Sequence, residues 1–153
     1  MRTGTTTLGR YGGWLITACT DVTPYDTEAA LRILLDAGID HHNASRAYRN
    51  ISKGHKDTGL CFSNPKTRTS VIIISKTSSP RQALNSISHE IAHCCQHISN
   101  TLHIDPYSED LAYLAGDIAM ALYPKIRHLI CDCHKHQYPY PYPYNTTNTT
   151  HKP

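Results

Sequence analysis

The most regular pattern of apolar positions lies between residues 84 and 98, where they recur at steps of three and four. This spacing predicts an amphipathic helix, because about 3.6 residues complete one helical turn. Ser79 is a suitable N-cap, Pro80 suits the first helical position, and Gln82 can complete a capping box. The helix is therefore predicted over residues 79–99, with an apolar stripe formed by Leu84, Ile87, Ile91, Cys94, Cys95 and Ile98.

Two further helices are predicted from a cap residue followed by proline. One covers residues 23–35, and Gly38 is a good residue to end it. The other covers residues 105–123 and ends at a Tyr-Pro pair. The stripe of this later helix consists of Leu111, Leu114, Ala115, Ile118 and Leu122.

Short apolar runs predict three strands, at residues 14–19, 59–63 and 70–75. Residues 64–67 have turn composition, so the second and third runs are expected to form a hairpin. The run at 70–75 is apolar on both faces, and two roles stay open for it. It is either an edge strand to which an extended peptide adds, or an interior strand of the core. Helices and antiparallel strands together indicate an α+β fold.

The remaining segments lack a clear pattern. Residues 1–13 are rich in Thr and Gly and are expected to be loose, and residues 40–56 are polar with a short helix near 44–48. Residues 137–153 alternate Tyr with Pro and then repeat Asn-Thr-Thr, which is typical of an extended or disordered tail. We therefore expect one domain over residues 1–136, followed by that tail.

The composition narrows the class of protein. The net charge is +3 with Lys and Arg scattered along the chain, so charge alone gives no reason to expect nucleic-acid binding. No apolar run is long enough to span a membrane, and residues 1–13 lack the apolar segment of a signal peptide. We expect a cytoplasmic protein whose six cysteines are free thiols.

One short motif indicates chemistry. In His89-Glu90-Ile91-Ala92-His93, four residues of helix separate the histidines, so the imidazoles lie about 40° apart and one turn from each other. Two imidazoles placed in this way can share one metal ion, and zinc is the expected metal. Glu90 points to one side of the pair, where it can reach a water bound to that metal. This arrangement is typical of zinc hydrolases.

Glu109 is the best candidate for a third ligand. It lies at the start of the helix that follows the motif, on a face of small, uncharged neighbours. A carboxylate among such neighbours needs a strong partner, and a metal ion is one. The alternative is a first-turn Glu that stabilises the helix N-terminus. Asp110 and Asp117 face another side and are weaker candidates.

Other metal-binding residue types are more easily explained without a metal. His41, His42 and His55 have no partner at ligand spacing and are interpreted as solvated loop residues. The cluster at residues 131–136 contains Cys131, Cys133, His134 and His136. It could form a second metal site. Structural zinc sites use wider spacings, however, so the preferred interpretation is a solvated helix end.

With these elements in place, residues 70–124 resemble the gluzincin metallopeptidases, and most closely the small single-domain ImmA/IrrE type. In that type a strand precedes the zinc helix, and the next helix supplies an acidic ligand and ends in an apolar-Pro turn. Here residues 70–75, Glu109 and Leu122-Tyr123-Pro124 occupy those places. One position departs from the pattern, because many gluzincins have Asp where this chain has Tyr113. Gln96 and Ser99 exclude the metzincin pattern.

The resemblance implies a small zincin-like α+β domain that hydrolyses a peptide bond of a peptide or protein substrate, often a single regulatory partner. His89, His93 and Glu109 would hold the zinc, Glu90 would be the general base, and Tyr113 would be an oxyanion donor. Two alternatives stay open. The chain could be a non-catalytic domain stabilised by zinc, or a histidine-rich protein that sequesters metal.

Overall fold

The computed structural model describes residues 1–131. The predicted tail at 137–153 and most of the Cys/His cluster at 131–136 lie outside these residues. The strands are β1 (Arg2–Leu8), β2 (Trp14–Val22), β3 (Gly59–Asn64) and β4 (Thr69–Ser75). The helices are α1 (Thr27–Asp36), α2 (His41–Ser52), α3 (Pro80–Leu102) and α4 (Glu109–Ile130), with short 3-10 turns at Gly9–Tyr11 and Pro24–Asp26.

The four strands form one mixed sheet in the order β1-β2-β4-β3. The outer pairs are antiparallel and the central pair, β2 with β4, is parallel. The predicted hairpin is confirmed as β3 and β4, with Gly59 opposite Ile74. Since β4 lies between two partners, the interior alternative for residues 70–75 is the right one. The edge strand on this side of the sheet is β3.

Both faces of the sheet are covered by helices, which confirms the α+β architecture. Helices α3 and α4 pack on one face, over a core that includes Ile72 and Ile74. Helices α1 and α2 pack on the other face, over a core that includes Val71 and Ile73. Successive residues of a strand point to opposite faces, so a strand covered on both sides must be apolar throughout. This explains the unbroken apolar run in β4.

Two segments are more ordered than the sequence predicted. The prediction of a loose N-terminus is wrong, because β1 pairs with β2 from Arg2–Thr20 to Leu8–Trp14. Its β-branched threonines suit a strand, and the fixed partner supplies the backbone bonds. The short helix expected near 44–48 is the longer α2, which Asp40 caps by accepting a 2.9 Å hydrogen bond from the Asn43 N–H.

Helix α4 differs from its prediction at both ends. The Asp-Pro pair at 105–106 forms a turn, in which Asp105 accepts the N–H of Tyr107, so the helix begins only at Glu109. At the other end the helix continues through Pro124 to Ile130. A proline inside a helix costs about 3 kcal/mol. Burial of Ile126 and Leu129 on the same stripe offsets this, at about 1.5–3 kcal/mol each.

The structure bears on two expectations, the lack of a membrane-spanning segment and the free state of the cysteines. Among residues 1–131, no helix has the length and apolar character needed to cross a membrane. The cysteines in this part of the chain are free thiols, as expected: Cys19, Cys61, Cys94, Cys95 and Cys131.

Candidate metal centre

Helix α3 brings the two motif histidines together on its solvent side. The Nε2 atoms of His89 and His93 are 3.0 Å apart, and their rings meet edge to face with centroids 4.6 Å apart. Both side chains are exposed. Two nitrogens bound to one tetrahedral zinc at about 2.0–2.1 Å would lie about 3.3 Å apart. The observed pair needs only a few tenths of an ångström of adjustment to meet that geometry.

Glu90 lies on the buried side of α3. The sequence had predicted only that it points to one side of the histidine pair. The residue is only 4% exposed. Its side chain packs against the edge strand, because a Cβ built on Gly59 would lie 2.6 Å from Glu90 Oε1. Within residues 1–131 the carboxylate has neither a hydrogen bond nor an ion pair. Burial raises the pKa of Glu90, while the neighbouring charges of His89 and His93 act to lower it.

The position of Glu90 follows from a rotation of the buried stripe relative to the prediction. Leu84 was expected in the stripe but is 54% exposed. The centre of the buried face runs instead through Ala83, Ile87, Glu90, Cys94 and Ile98. The buried face also includes Ser86 and Ser99, but an acid on a largely apolar face lowers stability unless it has a partner. Folding alone therefore does not explain a glutamate at position 90.

A series of side-chain hydrogen bonds, starting one helical turn after His93, joins α3 to the sheet. His97 Nδ1 lies 3.0 Å from Ser63 Oγ on β3, and Ser63 Oγ lies 2.7 Å from Ser70 Oγ on β4. Trp14 Nε1 donates to the same Ser70 oxygen at 2.8 Å. Burial and the charge of His93 lower the pKa of His97. This series of hydrogen bonds fixes the motif helix against the edge strand β3.

Sequence reasoning missed the roles of Ser63 and Gly59. His97 lies outside the five-residue motif, and its partner Ser63 is distant in sequence. The one available signal was the alternation of β3, in which Cys61 and Ser63 share a face while Leu60 and Phe62 share the other. The partly buried Leu60 and Phe62 pack with the α1/α2 core, which leaves Cys61 and Ser63 facing α3.

Glu109 occupies the first residue of α4 and is exposed. No group of three His, Cys, Asp or Glu side chains within residues 1–131 is spaced to hold a metal ion. The structure therefore brings His89 and His93 together without a third ligand, and the role of Glu109 stays a prediction. The two weaker acidic candidates have other partners. Asp117 accepts a 2.9 Å hydrogen bond from Tyr11, and Asp110 lies 3.8 Å from Arg10.

A groove of about 590 Å³ runs between α3 and α4 beside the motif. Ala92 lines it from α3 and Ser108 lines it near the start of α4, but His89, His93 and Glu109 are not among its lining residues. The helices carrying the predicted ligands thus meet along one groove. Tyr113, the predicted oxyanion donor, is half exposed, and the Arg10 guanidinium lies 5.6 Å from its ring centroid.

Comparison of the chain with protein-family models, with curated proteins and with solved structures found no match.

Proposed function

We propose that this chain is a zinc-dependent metallopeptidase with a zincin-like α+β domain. The observation that supports this most directly is the convergence of His89 and His93, with Nε2 atoms 3.0 Å apart, on the same helix as a buried carboxylate, Glu90. Neutral imidazoles at this separation are suitable zinc donors. When bound, zinc would lower the pKa of a coordinated water to about 7 and polarise the substrate carbonyl.

Glu90 is suited to the role of general base. A catalytic base works best when its pKa is close to the working pH, and burial shifts a carboxylate in that direction. Burial raises the pKa of Glu90, and no other group within residues 1–131 pairs with its carboxylate. Glu90 would take a proton from the attacking water and pass it to the leaving amine as the peptide bond breaks.

The edge strand β3 is the proposed binding surface for the peptide. Its outer side has no partner strand among residues 1–131, and Gly59 at its start contacts Glu90. An extended peptide can add to such an edge through backbone hydrogen bonds. Pairing beside Gly59 would bring the peptide next to the proposed base. The substrate is therefore inferred to be an extended segment of a peptide or protein.

Glu109 is the proposed third zinc ligand. Within residues 1–131 it makes no ion pair or hydrogen bond through its carboxylate, whereas Asp110 and Asp117 are engaged with Arg10 and Tyr11. Its exposed side chain at the first turn of α4 is free to change rotamer when a metal binds. The Glu109→Ala variant should lose most of its bound zinc, while Asp117→Ala should retain it. Metal content measured by mass spectrometry decides between them, and the reverse ranking would reject Glu109.

The decisive experiment uses Glu90→Gln, which keeps the size of the side chain and removes the base. Zinc-loaded wild type and variant are incubated with a peptide library and with a cell proteome, and new N-termini are identified by mass spectrometry. The variant should retain zinc and lose cleavage by about 10²–10⁴-fold. His89→Ala should lose both zinc and cleavage.

The other outcomes separate the alternatives. Equal cleavage by Glu90→Gln and wild type would reject the hydrolytic mechanism. Loss of zinc together with cleavage in Glu90→Gln would make Glu90 structural and favour a non-catalytic zinc-stabilised domain. Several weakly bound zinc ions per chain, instead of one tight ion, would favour a metal-sequestering protein.

A further inference from the structure

Helix α2 and its C-cap residue Lys53 carry a row of basic residues on the side that faces solvent. His42, Arg46, Arg49 and Lys53 are all exposed. At about 100° per residue they fall within about 60° of one another around the helix axis. This row is called the basic stripe below. Along the sequence these basic residues are spread out, and only the helix brings them onto one line.

No acidic residue lies within α2 itself, and the nearest ones in sequence flank it, at the Asp40 N-cap and at Asp57. Residues 41–56 contain neither Asp nor Glu. Within residues 1–131, none of Arg46, Arg49 and Lys53 takes part in an ion pair. Like charges three and four residues apart in a helix destabilise it by about 0.2–0.5 kcal/mol per pair. Arg46 with Arg49, and Arg49 with Lys53, have this spacing, so the stripe opposes folding of α2.

The opposite side of α2 is fully used by the fold. Ala44, Ala47 and Ile51 are buried in the core between the helices and the sheet. A helix that binds a membrane surface must insert a broad apolar side among the lipids, whereas α2 exposes one large apolar side chain, Tyr48, at 42%. The stripe can therefore offer a partner only charge and hydrogen-bond donors.

The geometry points to double-stranded nucleic acid as the partner. We propose that the basic stripe binds the phosphate backbone of duplex DNA, with α2 lying in or along the major groove. The groove is about 12 Å wide and admits one α-helix. The stripe extends over about 16 Å, and duplex DNA carries one phosphate charge per about 1.7 Å of its axis.

The connection between α1 and α2 suits this placement. Four residues, 37–40, join the two helices, and Gly38 among them has a left-handed φ of +88°. Helix pairs that bind DNA commonly use a turn of this length containing glycine, and their second helix enters the groove. Here the second helix is α2, whose outward side carries the stripe. The inference does not depend on the peptidase proposal.

The test measures binding of the full chain to a fluorescently labelled 30-base-pair DNA duplex by anisotropy, between 50 and 200 mM salt. The variant is Arg46→Gln with Arg49→Gln and Lys53→Gln, which removes three cations and keeps long polar side chains. Three lost phosphate contacts should reduce the slope of log K against log salt by about 2.7. At 0.1 M salt this corresponds to a loss of affinity of roughly 10²–10³-fold.

The matched control removes the same net charge elsewhere, through exposed cations on the β3–β4 turn, the following loop and the start of α3: Lys66→Gln, Lys76→Gln and Arg81→Gln. It should bind DNA within a few-fold of the wild type. The single variant Arg49→Gln, which should lower the slope by about 0.9, keeps the test valid if the triple variant unfolds. Melting curves identify any unfolded variant.

The proposal is overturned if the stripe variant binds DNA like the wild type, or if the control loses as much affinity. It is also overturned if vesicles rich in phosphatidylserine, or an acidic peptide, bind the wild type more tightly than DNA does and lose that binding in the stripe variant.

Discussion

Replacing Glu90 with Gln should stabilise the metal-free protein while it removes the proposed catalytic base. Glu90 is 4% exposed, and within residues 1–131 it has no hydrogen-bond or ion-pair partner. Burial disfavours the charged form of a carboxylate, and each unit by which its pKa rises corresponds to about 1.4 kcal/mol. Gln has nearly the same shape and remains polar, so the substitution isolates the effect of the charge.

The stability gain should depend on pH in a defined direction. Burial raises the pKa of Glu90 in the folded state above its unfolded value. Between the two values the folded state binds more protons than the unfolded state, so wild-type stability falls as pH rises. Gln cannot titrate. The difference between variant and wild type should be near zero below about pH 4 and complete once the pH exceeds the folded-state pKa.

The difference in the free energy of unfolding between variant and wild type can be measured by urea unfolding, followed by circular dichroism with a chelator present. At pH 7 the variant should be more stable than the wild type, by about 1.4 kcal/mol for each unit that burial adds to the pKa of Glu90. For a chain of 153 residues, each 1 kcal/mol of added stability raises the melting temperature by roughly 2–4 °C. Glu109→Gln is the matched control. Its carboxylate is exposed, so the free energy of unfolding should change by less than about 1 kcal/mol.

Two results would refute this reasoning. One is a Glu90→Gln variant that is no more stable than the wild type at pH 7. The other is a gain that does not change with pH. Either would mean that the carboxylate is solvated or paired, so that its burial does not shift its pKa. Adding zinc should stabilise both proteins equally, because Glu90 is not a proposed ligand.

Two further predictions test contacts around the site and at a helix start. Gly59→Ala places a Cβ 2.6 Å from Glu90 Cγ, so it should destabilise the protein by about 1–3 kcal/mol and reduce cleavage more than zinc content. Gly116→Ala, where nothing lies within 4 Å of the new Cβ, should instead stabilise it by up to about 1 kcal/mol in the same melting assay. The Thr23 hydroxyl donates a 2.7 Å hydrogen bond to Asp26 and lowers the pKa of that carboxyl. Asp26→Asn should therefore cost about 1 kcal/mol at pH 7, and a pH series of urea unfolding should show this loss fading as pH falls below about 4.

Local patterns in the sequence determined much of the secondary structure. The steps of three and four residues in α3, its Ser79 cap, and the paired strands β3 and β4 were predicted because each depends on residues close together in the chain. The placement of His89 and His93 on one side of a helix was equally local. Helical geometry alone brings residues four apart together, and the structure has their nitrogens 3.0 Å apart.

Errors arose where distant partners decide the outcome. Residues 2–8 became β1 because β2 supplies hydrogen-bond partners, and α4 continues past Pro124 because Ile126 and Leu129 find a place in the core. Neither partner can be recognised from the segment itself. The energy gained in these contacts exceeds the local preference against a strand or a helix.

The same distinction applies to the candidate site. The sequence named His89, Glu90 and His93, since their spacing follows from one helix. Only the tertiary structure showed that Glu90 is buried against Gly59, because that contact joins a helix to a strand about thirty residues earlier in the chain. The basic stripe depends on both the sequence and the tertiary structure. Its cations are present in the sequence, but their exposure depends on which side of α2 the sheet and α1 bury.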